Sequence, residues 1–281
     1  MSKHFVVIKS LSASILVISE NAKDIKRLKS SSFLKRYIPS YSLDNSDKKS
    51  DCVLYLKKGS SKIKINYPTA YYYNNKYDEK DIVSLAEYLL ERARQERGLY
   101  CLHGSACALG ARTVIFWGGA SGMGKTSLCH KLENNFGANF IADEKIIMNL
   151  KKLTMVGGVN VAYKKNNQFI NLNIKPIQSI TVHFFVYPFL SPENENKLEF
   201  IPWNNKKFEW HLYEELNRKI RGTSRTFFNG TEPVLSLDTI NLAKKRIKAI
   251  NWFVSRIKNY QIRGSSDKIC NKVVKLIKPV S

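Results

Sequence analysis

Residues 113–126 read Thr113-Val114-Ile115-Phe116-Trp117-Gly118-Gly119-Ala120-Ser121-Gly122-Met123-Gly124-Lys125-Thr126. An apolar run leads into Gly119 to Thr126, which satisfies the phosphate-binding pattern G-x-x-x-x-G-K-[ST] at every fixed position. Beyond it, Leu128 and Leu132 stand at helical spacing, and Gly137 stops the pattern. The motif therefore comes with a strand before it and a helix after it, a setting that a chance glycine-rich turn lacks. The glycines Gly119, Gly122 and Gly124 let successive backbone N–H groups turn inward, and Ala120, Ser121 and Met123 complete the loop. The helix start adds its dipole and unsatisfied donors. Lys125 is placed to neutralise β- and γ-phosphate oxygens, and Thr126 to offer its hydroxyl to Mg²⁺.

Three further groups lie around this motif. Asp143 stands 18 positions after Lys125, at the end of a short strand expected over Ala138 to Ala142. A carboxylate there suits either a water-mediated hold on Mg²⁺ or acceptance of a proton from a substrate hydroxyl. A solvated turn residue is the competing reading. Glu144 is similarly placed, a second candidate for Mg²⁺. His103, in Leu102-His103-Gly104-Ser105, precedes the motif strand. It suits a hydrogen bond to phosphate or to a catalytic carboxylate, or simply a satisfied place in the core. Arg221 and Arg225, in Arg221-Gly222-Thr223-Ser224-Arg225, are candidates for a phosphate clamp, against the alternative of a solvated basic loop. His4, His130, His183 and His211 show no metal-ligand spacing.

Outward from the motif, residues 1–97 read as a small α+β region. Short β-like runs at Phe5 to Ile8, Ser14 to Ile18, Cys52 to Leu56 and Ile63 to Ile65 alternate with polar breaks, and Leu43 to Asp51 reads as an exposed loop. Asp78 to Arg97 carries helical spacing and closes at Gly98. The region 98–281 holds the motif. Strands are predicted over Tyr100 to Leu109, Arg112 to Trp117, Lys145 to Leu150, Gly158 to Tyr163, Ile177 to Tyr187, Leu198 to Pro202 and Tyr260 to Arg263. Helices are predicted over Lys206 to Ile220, Asp238 to Ile257 and Ser266 to Ile277. The fold class expected is α/β in the mixed-sheet, α+β sense.

The chain has 281 residues, enough for one large domain or two small ones at roughly 100–200 residues each. Hydrophobic residues at 43% and charged residues at 25% exclude a disordered chain. No run of apolar residues is long enough for a transmembrane helix, so no membrane insertion is expected. Five scattered cysteines without a CxxC exclude a zinc ribbon or disulfide scaffold and fit reduced thiols in the cytoplasm. The net charge of +23 is the anomaly. Residues 241–281 hold eleven Lys/Arg against Asp267 alone, interleaved with Trp252, Phe253 and Tyr260. Such a patch suits nucleic acid, while the Lys- and Asn-rich composition also fits coding bias.

The series Leu102-His103-Gly104-Ser105, Gly119 to Thr126, and Phe140-Ile141-Ala142-Asp143-Glu144 resembles the HPr kinase/phosphorylase catalytic core. It is more closely similar to the HPr-kinase-like serine kinases of peptide and cofactor biosynthesis clusters. The resemblance covers roughly residues 87–151 well and 240–281 loosely. It implies a P-loop core of the HPr kinase and phosphoenolpyruvate-carboxykinase type behind a small α+β N-terminal domain. It also implies ATP, Mg²⁺, and transfer of the γ-phosphoryl group to a hydroxyl, with Asp143 as base. The acceptor would be Ser/Thr of a peptide or protein, or a small hydroxylated metabolite. Glu144 stands where the family has a second Asp, and Thr126 where Ser is commoner. The downstream glycine-rich arginine signature is absent, with Arg221 to Arg225 as a stand-in. That argues against HPr itself as acceptor and against phosphorylase activity. A basic nucleic-acid-associated protein that uses ATP, with RNA as a candidate acceptor, and a non-catalytic nucleotide-binding scaffold are the competing functions. No base-reading motif separates ATP from GTP, and nothing sets the oligomeric state.

Overall fold

The computed structural model describes residues 3–46, 49–118, 122–159, 161–164, 168–171, 179–192, 197–222 and 234–277. The chain forms two compact units, Met1–Tyr100 with Leu216–Arg246, and Cys101–Glu215 with Ile247–Ser281. A single cut at 97/98 does not describe this division, because 216–246 packs with the first unit. Buried polar bonds hold it there. The Arg246 guanidinium donates to Gln95 Oε1 at 2.8 Å, Asn217 Oδ1 at 3.1 Å and the Asp238 carboxylate, and Gln95 Nε2 donates to the Leu216 carbonyl at 3.0 Å.

The first unit begins β1 (His4–Ser10), β2 (Ala13–Ser19), α1 (Ala22–Lys29), α2 (Ser32–Tyr37), β3 (Tyr41–Asp44), β4 (Cys52–Lys57), β5 (Lys62–Asn66), β6 (Thr69–Tyr73) and α3 (Glu79–Glu96). Its sheet runs β3-β1-β2-β4-β6-β5, with β2, β4 and β6 mutually parallel and the other pairs antiparallel. Strand alternation turns Ile15, Val17, Cys52, Leu54, Ala70 and Tyr72 inward, into one core with Ile82, Leu85, Ala86 and Leu89 of α3. Asp78 caps α3 by accepting from Lys80 N at 2.7 Å, which is why the helix starts there. The helices α1 and α2 occupy what reads in sequence as polar breaks. They run 8 and 6 residues, too short for a periodic signal, and their starts are fixed by the Asn21 and Ser31 caps.

The strand β7 (Leu99–Leu102) leads into the second unit. There follow β8 (Gly104–Leu109), β9 (Arg112–Trp117), α4 (Lys125–Phe136), β10 (Asn139–Asn149), β11 (Thr154–Val159), β12 (Val161–Lys164), β13 (Gln168–Asn171), β14 (Ile180–Thr181), β15 (Phe184–Leu190), β16 (Glu199–Pro202), α5 (Asn205–Arg218), α6 (Ile240–Val254), β17 (Lys258–Gly264) and α7 (Ser266–Ile277). The sheet order is β14-β11-β10-β8-β9-β15-β17-β16. The pairs β9–β15 and β15–β17 are parallel and the rest antiparallel. One face carries α4 and α7, whose Leu128, Leu132, Ile269 and Val273 join Val114, Phe116 and Val186. On the alternate positions Trp117 and Phe185 pack with Phe208 and Phe253, ring centroids 5.2–6.3 Å apart.

The architecture is thus mixed α/β with mixed sheets, as the sequence implied. Several local expectations change; the run Ile177 to Tyr187, for one, divides into β14 and the start of β15, and Leu43 and Asp44 belong to β3. The run Tyr100 to Leu109 is broken at His103 into two strands, whereas Ala138 to Ala142 and Lys145 to Leu150 belong to one strand, β10. That strand absorbs Asp143-Glu144 as an irregularity. Its register against β11 shifts between Asp143 and Ile146, and Glu144 takes φ 62°, in the left-handed region.

Candidate functional site

The helix α4 starts at Lys125 behind Gly124, whose φ is 81°; Gly122 has φ 84°. Both values suit glycine and disfavour any side chain. Among the described residues no side chain caps this helix end. Gly119, Ala120 and Ser121 lie outside the described residues. Lys125 is buried and Met123 half-buried.

The carboxylate of Asp143 is the centre of the site. It is fully buried, and the Thr126 hydroxyl lies 2.9 Å from its Oδ1 and 3.1 Å from its Oδ2. Ser105 Oγ donates to the same Oδ1. The sheet explains the meeting. Pairing of β8 with β10 places Ala106 opposite Ala142, so the next residues, Ser105 and Asp143, adjoin on neighbouring strands. The solvated-turn alternative for Asp143 fails on this burial. Charge-assisted bonds from two hydroxyls make the carboxylate's place in the interior tolerable.

His103 sits at the break between β7 and β8. Its Nδ1 lies 3.6 Å from Glu144 Oε2, and its backbone N–H donates to Glu215 Oε1 at 3.0 Å. The left-handed turn at Glu144 brings its half-exposed carboxylate to the histidine. A bulky non-glycine residue at positive φ is a strained arrangement of the kind that persists where surrounding structure enforces it. Gly104 follows for a steric reason. A β-carbon there would stand 2.7 Å from the Phe116 carbonyl oxygen.

Ser105 and Glu215 were not singled out by sequence. Ser105 carried a weak signal, one strand position beyond His103-Gly104. Glu215 carried a better one, since it follows Phe208 and Leu212 on the buried face of α5, where a carboxylate is out of place. The Tyr187 phenol is pushed up by burial and by the charge of Glu215.

Arg221 lies in the first unit and is exposed, and Arg225 lies outside the described residues. In the basic C-terminal segment, Phe253 is core, Arg256 covers the Trp252 ring at 4.5 Å, and Tyr260 packs with Phe184 and Phe200. Lys244, Lys245 and Lys248 are exposed on α6. Phe253 and Tyr260 thus belong to packing, Trp252 is half-buried, and the three lysines are exposed. All five cysteines are buried free thiols, and burial raises Cys129 and lifts Cys52 and Cys270 to about 12. Among the described residues, no helix is long and apolar enough to cross a membrane.

No protein-family model matches the chain, and no curated protein matches it.

Proposed function

We propose that the protein is an ATP-dependent phosphotransferase acting on a hydroxyl group, with a P-loop core of the HPr-kinase type. One observation carries the reading. The two residues that close the glycine-rich motif, Lys125 and Thr126, open α4, and Thr126 is hydrogen-bonded to Asp143, a fully buried carboxylate from a different strand. A structural turn has no need of a buried cation, a helix start without a side-chain cap and a buried carboxylate together. A triphosphate needs the first two, and an acceptor hydroxyl needs the third.

The residues fit Mg²⁺, because the hydroxyl of Thr126 and the carboxylates of Asp143 and Glu144 are hard oxygen donors of the kind it takes. When bound, Mg²⁺ would neutralise charge on the β- and γ-phosphate oxygens. The chain's own groups do the rest. The α4 N–H groups and Lys125 hold the phosphates. Asp143 accepts the proton of the acceptor hydroxyl as its oxygen attacks the γ-phosphorus, and the bond to the β–γ bridging oxygen breaks to release ADP. Ser105 fixes the orientation of Asp143. His103, held by its backbone bond to Glu215, lies against Glu144 beside the site. The acceptor is a peptide or protein Ser/Thr or a small hydroxylated metabolite.

The test is incubation of the full chain with γ-labelled ATP, Mg²⁺ and separate pools of peptides, small alcohols and RNA. Label should appear in an alkali-stable or alkali-labile phosphate ester of one pool and be lost in Asp143→Asn. Label in RNA would favour the nucleic-acid reading. Tight ATP binding with no transfer to any pool would identify a nucleotide-binding scaffold.

A further inference from the structure

We propose that the open face of the first unit's sheet binds single-stranded RNA, an inference independent of the phosphotransferase reading. Residues paired across neighbouring strands share a face of a sheet. Phe5, Ile18, Tyr55, Tyr71 and Lys64 are paired in this way in one row across β1, β2, β4, β6 and β5, and Lys57, Tyr73 and Lys62 form the next row. None of these side chains belongs to the core that the opposite face makes with α1, α2 and α3. Phe5, Ile18 and the three tyrosines are half-buried, and Lys62 and Lys64 are exposed. Parallel strands such as β2, β4 and β6 are normally covered on both faces, and a solvated sheet face is normally polar. A face that is apolar and aromatic along its middle and still reached by solvent calls for a partner.

The chemistry of the face selects that partner. The Tyr55 and Tyr71 rings stack at 5.1 Å between centroids and 13° between planes, and Tyr73 continues the ladder 6.2 Å from Tyr71. The Lys64 ammonium lies 6.0 Å from the Tyr73 centroid. Lys62 and Lys64 stand on β5, at the edge of the sheet, and among the described residues neither is in an ion pair. The carboxylates beside the face are already taken. Asp44 lies 2.6 Å from Lys9 Nζ, and Glu20 lies 2.6 Å from Lys57 Nζ. The face therefore combines a ladder of rings with flanking positive charge. Single-stranded RNA brings both complements, bases for the rings and phosphates for the ammonium groups. Thr69 and Asn66, paired on the same face beside the ladder, offer polar groups to the 2′-hydroxyl that DNA lacks. A second copy would meet the face with the same lysines, on a chain of net charge +23. An acidic peptide would answer the lysines and leave the ladder without a flat partner.

The experiment follows the fluorescence anisotropy of a labelled oligouridylate, roughly 12 nucleotides long, against the full chain and its variants over a salt series. Tyr55→Thr with Tyr73→Thr should weaken binding about tenfold or more and leave the salt slope as in wild type, because rings and not charges are lost. Tyr55→Phe with Tyr73→Phe keeps the rings and should bind within about threefold of wild type. Lys62→Gln with Lys64→Gln should weaken binding and lower the slope of log K against log salt by about 1.4, the share of two phosphate contacts on a single strand. Lys244→Gln with Lys245→Gln and Lys248→Gln, on α6, should bind as wild type does. Absence of binding at low salt overturns the proposal. So does a loss in the α6 variant that matches the loss in the Lys62 and Lys64 variant, which would mean diffuse attraction to a basic chain. Equal affinity for the oligodeoxyuridylate of the same length overturns the choice of RNA. Displacement by polyglutamate as effective as by unlabelled RNA would assign the face to an acidic peptide. A dimer in sedimentation that the threonine pair dissociates would assign it to a second copy.

Discussion

Replacing Thr126 by Val keeps the shape of the side chain and removes its hydroxyl, whose oxygen stands 2.9 and 3.1 Å from the two oxygens of Asp143. One hydrogen bond to a buried charge is lost, worth about 1.5–3 kcal/mol. Thr126 is half-buried and Asp143 keeps the Ser105 bond, so the lower end, about 1.5–2 kcal/mol, applies. At a urea slope of about 2–3 kcal/mol/M the unfolding midpoint should fall by roughly 0.5–1 M. The four tryptophans, Trp117, Trp203, Trp210 and Trp252, all belong to the second unit, so tryptophan fluorescence follows the unit that carries the change. Thr126→Ser should restore the midpoint to within a few tenths of a kcal/mol of wild type, and Mg²⁺-dependent turnover of ATP with it, whereas Thr126→Val should lose turnover by about a hundredfold or more. A Val variant that unfolds at the wild-type midpoint would refute the idea that the hydroxyl and carboxylate form an organised pair before ligand arrives.

Other outcomes follow from the rest of the molecule. Arg94→Met in α3 removes the buried guanidinium that lies 2.8 Å from both Glu87 and Glu91, and should cost the first unit about 3–5 kcal/mol, read by far-UV circular dichroism in urea. A loss under about 1 kcal/mol would show that these carboxylates find other partners. His183 accepts from Thr113 N at its Nδ1, 3.2 Å away, and burial, with the charge of Arg112, lowers it below 6.5. The folded state therefore favours neutral imidazole. Its contribution is present above the unfolded value and is lost as pH falls through the folded one, so the melting temperature should drop between about pH 7 and pH 5 less steeply in His183→Asn than in wild type. Equal slopes would remove His183 as a cause. The buried thiols should resist a disulfide reagent in native protein, with all five reacting after denaturation; fast reaction of the native chain would contradict their burial.

The legible parts of this chain were those governed by local chemistry. The strand, glycines, lysine and helix around Lys125 announce themselves because the loop conformation demands glycine, and Gly122 and Gly124 indeed take positive φ. The helix α3 was legible through its cap and period. What stayed hidden depends on pairing between distant strands. Whether Asp143 is a solvated turn or a buried carboxylate turns on the register of β8 against β10, which no local pattern encodes. Glu144 looked equivalent to Asp143, but the shift in β10 directs it to His103. The return of 216–246 to the first unit rests on Arg246 reaching Gln95, 151 positions earlier in the chain. In sequence that arginine is one more cation in a basic helix.

The most direct measurement is the Mg²⁺-dependent loss of γ-phosphate from ATP by wild type, Lys125→Ala and Asp143→Asn, each checked to melt as a folded protein. Turnover should be present in wild type, with Lys125→Ala losing nucleotide affinity and Asp143→Asn losing rate while still binding nucleotide. Turnover at the wild-type rate in a folded Asp143→Asn variant would contradict the central role given to that buried carboxylate.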